Sequence, residues 1–222
     1  IYEPLVQGAA AMKMHKSEHL DSLLRIAKEN QIITIADEVM TGFGKTGKNF
    51  ASEHMSQLPD IMCLSKSLTG GLVPMAITSC NKEIYNAFLS SKMEKGFFHG
   101  HTYSANPTSC TAALASLQLL LSVDIQKNIK MVITSHQEFN AKIKNHPKVK
   151  STRQQGVIFA LDLNIETDRY GDLRYKLFDF FMGKGIYLRP LGNTIYILAP
   201  FIVSKAQLQK IYTVIEESFD II

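Results

Sequence analysis

Cysteine is scarce in this chain: Cys63, Cys80 and Cys110 are the only three, and no two form a CxxC pair. An odd count without paired spacing argues against a disulfide framework and against a structural metal site. It reads as reduced thiols, which suits a cytoplasmic protein. Tryptophan is absent. No apolar run approaches the ~20 residues that a membrane-spanning helix needs. The net charge is only +4 and is not clustered, so neither a membrane nor a nucleic acid is expected as a partner. There is no internal repeat and no low-complexity stretch. An initiating methionine is also missing. The chain opens Ile1-Tyr-Glu-Pro4, which looks like the middle of a strand and leads us to expect a fragment whose N-terminal part is absent.

What is present is ordinary globular material, 45% apolar and 20% charged over 222 residues, enough for one large domain or two small ones. Two short apolar runs stand out. One, Ile32-Ile-Thr-Ile-Ala-Asp-Glu38, closes on acid; the other, Asp60-Ile-Met-Cys-Leu-Ser-Lys66, closes on a lysine. Each reads as a buried parallel strand. Lys66 lies 29 positions after Asp37, and one strand–helix–strand unit takes about 30 residues. The spacing therefore predicts a carboxylate and an amine at the same carboxyl edge of one sheet, where open α/β sheets bind ligands. An amine and a carboxylate fixed on one cofactor are what pyridoxal phosphate (PLP) requires: a lysine for the Schiff base and an acidic partner for the pyridine nitrogen.

The pattern predicts a strand or strand end over residues 1–7, a loop over 8–14, and a helix over 17–30 capped by Ser17. Strands follow at 32–36, 61–64 and 75–80, with a short helix at 49–55, a helix at 82–90, a long loop at 91–106 and a helix from Pro107 to about residue 121. Beyond residue 123 the alternation changes. A helix over 124–145 precedes strands at 148–153 and 157–163, a helix over 172–184, strands near 187–188 and 195–198, and a last helix from Ser204. Strands around Gly156 and Asn193 should pair antiparallel. This predicts residues 1–123 as one domain with a mostly parallel sheet and 124–222 as a small α+β domain.

Three motifs have plainer readings. Gly42-Phe-Gly-Lys-Thr-Gly47 fits G-x-G-x-x-G, but a dinucleotide fingerprint should follow its strand directly and open a long helix. Gly44-Lys45-Thr46 echoes a P-loop, but the required glycine five residues earlier is Val39. His99 and His101 could lie on one side of an extended chain, yet no third metal ligand is evident. A lone lysine is usually a solvated surface charge and Asp-Glu after a strand is often a turn. Placement at one sheet edge is what raises both.

Taken together, the segments Glu3-Pro4, Asp37-Glu-Val-Met-Thr-Gly-Phe-Gly-Lys-Thr-Gly47, Ser65-Lys-Ser-Leu-Thr-Gly-Gly71 and His99-Gly-His-Thr-Tyr-Ser-Ala-Asn-Pro107 resemble the fold-type I, class III PLP-dependent aminotransferases in order and spacing. The resemblance covers essentially the whole chain. It implies an α/β fold: the C-terminal part of a fold-type I PLP large domain followed by a small α+β domain. It also implies that Lys66 holds PLP and acts as base, that Asp37 pairs with the ring nitrogen, and that Val39 packs on the ring. Thr102 would meet the cofactor phosphate across a homodimer interface, and Arg189 would bind a substrate carboxylate through its planar fork. The partners implied are a small-molecule amino donor and a keto acceptor.

Within the class, Glu3-Pro-Leu-Val-Gln-Gly8, Pro59-Asp-Ile-Met-Cys-Leu-Ser-Lys66 and Gly185-Ile-Tyr-Leu-Arg-Pro-Leu-Gly192 are similar to the branch that aminates 8-amino-7-oxononanoate in biotin biosynthesis, with S-adenosylmethionine as the implied donor. An ω-aminotransferase acting on ornithine, 4-aminobutyrate or a similar amine stays open. So do a PLP mutase or racemase on the same fold and an inactive chain serving only dimerisation. Lys45 stands where many relatives carry arginine, and His101 where many carry proline. The family's phosphate-cradling turn and ring-stacking aromatic lie upstream of Glu3. The chain alone is therefore expected to bind PLP weakly or not at all and not to turn over.

Overall fold

The computed structural model describes residues 1–222. Two short strands, β1 (Val6–Gln7) and β2 (Lys13–Met14), precede helix α1 (Ser17–Glu29) and the strands β3 (Ile35–Asp37), β4 (Ile61–Leu64) and β5 (Ile77–Cys80). Helices α2 (Lys82–Phe88), α3 (Pro107–Leu121) and α4 (Val123–Ile143) follow. The chain then forms β6 (Val149–Gln155), β7 (Ile158–Leu163), α5 (Asp172–Gly183), β8 (Thr194–Ile197) and α6 (Lys205–Glu217). Contacts gather these elements into two units. One comprises Ile1–Leu5, His15–Gly44 and Lys48–Ser122; the other comprises Val6–Met14, Lys45–Gly47 and Val123–Ile222.

In the first unit β3 and β4 pair in parallel, as their sequence predicts, and β5 adds an antiparallel edge, so the sheet is mixed. Tyr2 extends the sheet on the other side through a parallel bridge to Ala36. The strand predicted from residue 32 begins only at Ile35. Ile32 donates its N–H back to the Ala27 carbonyl, which closes α1, and Thr34 gives its N–H to the Asp60 carboxylate. Neither is free to join a ladder. α1 also starts one residue earlier than the capping reading requires: Lys16 is its N-cap and Ser17 is already helical. The predicted helix over 49–55 is a single 3-10 turn, Ala51–His54. α3 begins as expected, with Pro107 in its first turn and the Asn106 side chain accepting the Ser109 N–H at 2.9 Å. Its leucines 114, 117, 119 and 121 are exposed, and so is the whole of β5.

The second unit has the larger core. β6, β7 and β8 form an antiparallel sheet whose central strand is almost wholly buried, with Ile158, Phe159, Ala160, Leu161 and Leu163 all inaccessible. Leu177 and Phe181 of α5 and Leu208 and Ile215 of α6 are equally buried. Each of these buried Leu, Ile and Phe side chains contributes roughly 1.5–3 kcal/mol relative to exposure. Ser204 caps α6 reciprocally with Gln207, the capping-box arrangement that satisfies two otherwise orphaned N–H groups. The strand expected near Tyr187 and Leu188 does not form. Pro190 offers no N–H to a ladder, and the antiparallel pairing around Asn193 shrinks to the Leu191–Thr194 bridge beyond it. A buried-edge cluster ties β2's approach to the sheet: Arg153 grips Asp162 with both terminal nitrogens (2.7 and 2.9 Å) and also bonds the carbonyls of Ala11 and Met12. Burial would raise the Asp162 carboxyl. Hydrogen bonds from Arg153, Thr194 and Ser151 outweigh it and hold the group below its ordinary value.

Two features of this unit give measurable expectations. Gly156, at the β6–β7 turn, has φ +58, and a Cβ there would lie 2.3 Å from the Thr46 carbonyl carbon, 2.4 Å from the Lys45 oxygen and 2.5 Å from the Gly47 nitrogen. All three obstacles are backbone. Gly156→Ala should therefore cost roughly 2 kcal/mol or more, read as a lower urea midpoint.

His136 is completely buried, with Nδ1 at 2.7 Å from the Tyr212 hydroxyl and Nε2 at 3.2 Å from the Val157 carbonyl. This arrangement suits a neutral ring in which Nε2–H donates and Nδ1 accepts. Burial pushes its pKa from 6.5 down to about 4, partly opposed by the Val157 bond. The unfolded chain takes up this proton first as pH falls. Stability is thus fully present above pH 6.5 and drains between 6.5 and 4, by at most about 1.4 kcal/mol per pH unit. Urea unfolding at pH 7 and pH 5 checks this, and a His136→Gln variant should show a flatter loss across that window.

Candidate active site

The pairing of β3 with β4 sets the site. In register, Asp37 stands opposite Cys63, so both strands run toward the same edge and Lys66 emerges two residues past the end of β4. Asp37 is clamped by its backbone, donating its N–H to the Tyr2 carbonyl at 2.8 Å. Its side chain is half-buried. Oδ1 accepts the Val39 N–H at 3.1 Å, and Oδ2 carries no hydrogen bond. The next residue, Glu38, gives its N–H to the Cys63 carbonyl at 3.0 Å.

Lys66 opens a 3-10 turn, Lys66–Thr69, in a left-handed backbone conformation with φ +44. For a residue with a Cβ this costs roughly 1–2 kcal/mol. The bonds around it explain why it persists. Ser65 donates its hydroxyl to the Met75 carbonyl (2.7 Å), Leu68 N–H bonds the Ser65 carbonyl (3.0 Å), and the Ser116 hydroxyl of α3 bonds the Ser67 carbonyl (3.1 Å). The Lys66 side chain is exposed, and no ion pair or hydrogen bond engages its amine.

The structure thus brings Asp37, Val39 and Lys66 to one sheet edge. Thr102 lies in the exposed stretch between Gly96 and Asn106, and no hydrogen bond joins it to Asp37 or Lys66. In that stretch His99 rests against Phe97 and His101 against Tyr103, with ring centroids 5.7 and 5.8 Å apart. Arg189 belongs to the second unit. It lines an open pocket of about 780 Å³ there, with Ile186, Tyr196, Val203, Gln207 and Lys210 around it. The glycines of residues 42–47 serve turns. Gly44 and Gly47 have φ +88 and +92, and no long helix follows them. Lys45 places its amine 4.4 Å over the Phe201 ring, and burial lowers its proton affinity.

Sequence reasoning did not single out Glu38. It is fully buried, and its carboxylate accepts Ala51 N–H (2.6 Å), Ser52 N–H (2.8 Å) and the Ser52 hydroxyl (2.6 Å). The available signal was the unbroken acid pair after a strand, which more often marks a turn.

An amine without a partner and a carboxylate with an unbonded oxygen, both at the carboxyl edge of one sheet, are the groups that PLP requires, and the residues fit it. The sequence profile described as Aminotransferase class-III matches residues 1–219. The chain belongs to that family.

Among curated relatives, the adenosylmethionine-8-amino-7-oxononanoate aminotransferase of Synechococcus elongatus is 41% identical over 99% of this chain and 52% of its own length. Its namesake from Methanocaldococcus jannaschii is 36% identical over 94% of this chain and 48% of its own. The crystal structure of the Methanocaldococcus jannaschii protein superposes with a TM-score of 0.88 at 33% identity, covering 97% of this chain and 52% of that one. An amine transaminase from an uncultivated Pseudomonas species, in PLP-bound form, gives 0.89 at 29% identity over 98% and 51%. The chain therefore spans about half the length of the curated relatives it matches.

Proposed function

We propose that the protein carrying this chain is a PLP-dependent aminotransferase of biotin biosynthesis. It would convert 8-amino-7-oxononanoate to 7,8-diaminononanoate with S-adenosylmethionine as amino donor. The juxtaposition of Asp37 and Lys66 supports the chemistry. The substrate reading is supported by relatives of that one name at 33–41% identity.

The roles follow from what each side chain can do. Lys66 offers an amine with no competing partner, suited to holding the cofactor covalently and then to moving a proton at the substrate carbon. Asp37 holds one carboxylate oxygen on Val39 N–H and keeps the other for the ring nitrogen, whose charged form a buried carboxylate favours. PLP, when bound, supplies a conjugated ring that takes up the electron pair released at that carbon. Val39 would pack against the ring, Thr102 would donate its hydroxyl to the phosphate of the neighbouring subunit's site in a homodimer, and Arg189 would take a substrate carboxylate bidentately. The unpaired cysteines suit a cytoplasmic setting.

A second reading has its own support: structures superposing on this chain at 25–26% identity include an ω-transferase from Vibrio fluvialis and an ω-aminotransferase from Paracoccus denitrificans. One experiment separates the two. The complete gene product is loaded with PLP, 7,8-diaminononanoate alone is added, and the visible cofactor band is followed. The band should bleach, and Lys66→Ala should slow this by about a hundredfold or more. A band untouched by 7,8-diaminononanoate but bleached by ornithine or 4-aminobutyrate would move the protein to the ω-aminotransferase reading.

A further inference from the structure

We propose that Glu38 is a positioning residue for Asp37: its buried carboxylate tethers the turn whose Val39 N–H orients the Asp37 side chain. The inference rests on the reading of Asp37 as the cofactor's carboxylate partner.

The two acids are consecutive on an extended chain, so their side chains leave opposite faces. Exposure follows that alternation. Ala36 and Glu38 are inaccessible, whereas Ile35 and Asp37 are half-buried. One acid is therefore turned inward and the other toward the sheet edge. Inward, Glu38 reaches across 13 and 14 residues to the start of the 3-10 turn at Ala51, where three donors meet its two oxygens at 2.6, 2.8 and 2.6 Å. Its own carbonyl accepts the Gly42 N–H at 2.9 Å, and a Cβ on Gly42 would sit 2.9 Å from that oxygen. Side chain and main chain of Glu38 thus fix residues 38–42 from both directions. Val39 lies inside that segment, and its N–H is the only donor on the Asp37 carboxylate. Fixing Val39 fixes Oδ1, and with it the direction in which Oδ2 is offered.

A folding role alone would not call for this residue type. Burying a carboxylate costs several kcal/mol before its partners repay it, and apolar side chains of similar size often hold a core as well or better. A charge-assisted cluster adds direction, because its bonds are short and geometrically specific. The charge is also felt nearby: burial first, and the Glu38 carboxylate second, push the Tyr2 phenol up to about 12. Tyr2 is the residue whose carbonyl receives the Asp37 N–H.

The test is a double-mutant cycle on the complete gene product, read as the PLP dissociation constant in a spectroscopic titration, with thermal melts of the apo forms alongside. Glu38→Gln keeps the shape but sets an amide against an N–H or hydroxyl donor. It should weaken PLP binding about tenfold, yet by less than about twofold in the Asp37→Asn background, because the route through Asp37 is already lost there. Ser52→Ala removes one of the three donors and should reproduce the same non-additivity at smaller amplitude, even if Glu38→Gln folds poorly. Equal weakening by Glu38→Gln and by Ser52→Ala in both backgrounds would show a merely structural role and overturn the proposal. Full PLP affinity in Asp37→Asn alone would instead remove the Asp37 assignment itself, and this inference with it.

Discussion

The parallel ladder between β3 and β4 is the constraint from which the rest of the site follows. Only three residue pairs make it, Ile35 with Ile61, Ala36 with Met62 and Asp37 with Cys63. A parallel pair cannot be closed by a tight turn and needs a crossover. It delivers both strand ends to one edge, and a slip of one residue would turn every side chain to the other face. Asp37 would then point where Glu38 now points, into the core. The register is held at both ends. At the start, Asp60 takes the N–H and hydroxyl of Thr34 (2.8 and 2.9 Å); at the finish, the Cys63 carbonyl takes the N–H of Glu38.

The same ladder explains why strain collects at Lys66. β4 ends at Leu64, and the chain must turn at once into the 3-10 segment that begins with Lys66. A left-handed residue at that corner makes the turn in one step. Glycine would do this at no steric cost but would bring no amine. The cost is borne by bonds from Ser65, Leu68 and Ser116 to carbonyls around it. Strained backbone of this kind persists only where neighbouring structure over-determines it, and it collects at functional sites.

Much of this was legible in the sequence, for identifiable reasons. The run of residues 61–64 was found to the residue, because a short β-branched and apolar stretch between Asp60 and Ser65 has few other readings. α3 was found because Pro107 fits the first turn of a helix, and α6 was placed from Ser204, which proves to be its N-cap. Failures occurred where tertiary bonds compete with local pattern. Ile32 and Ile33 have strand propensity, but α1 and Asp60 claim the backbone donors around them, and both are left 58% and 60% exposed. Residues 187–188 alternate well, yet Pro190 breaks the ladder before it can register. Of the candidate site, spacing placed Asp37 and Lys66 at one sheet edge, as the parallel pairing of β3 with β4 has them, and their roles rest on the resemblance. Thr102 and Arg189 carry no such signal. A threonine in an exposed loop and an arginine beside a proline look like countless others, and only resemblance singles them out.

Glu38 was hidden for a more general reason. A sequence shows that an acid follows a strand, but not whether backbone donors from a turn more than ten residues downstream will close on it. Those donors exist only because Phe50 to Met55 folds back in a 3-10 turn that leaves the Ala51 and Ser52 N–H groups unpaired at its start, the place where a helical turn favours a negative charge. The division of labour between the two acids then follows from alternation. The residue facing inward meets that turn and spends its charge on three hydrogen bonds. The residue facing outward has one donor on one oxygen and keeps the other open. Had the pair been separated by a single insertion, both would face the same side, and the open oxygen of one acid and the three bonds on the other would no longer divide between the sheet edge and the core.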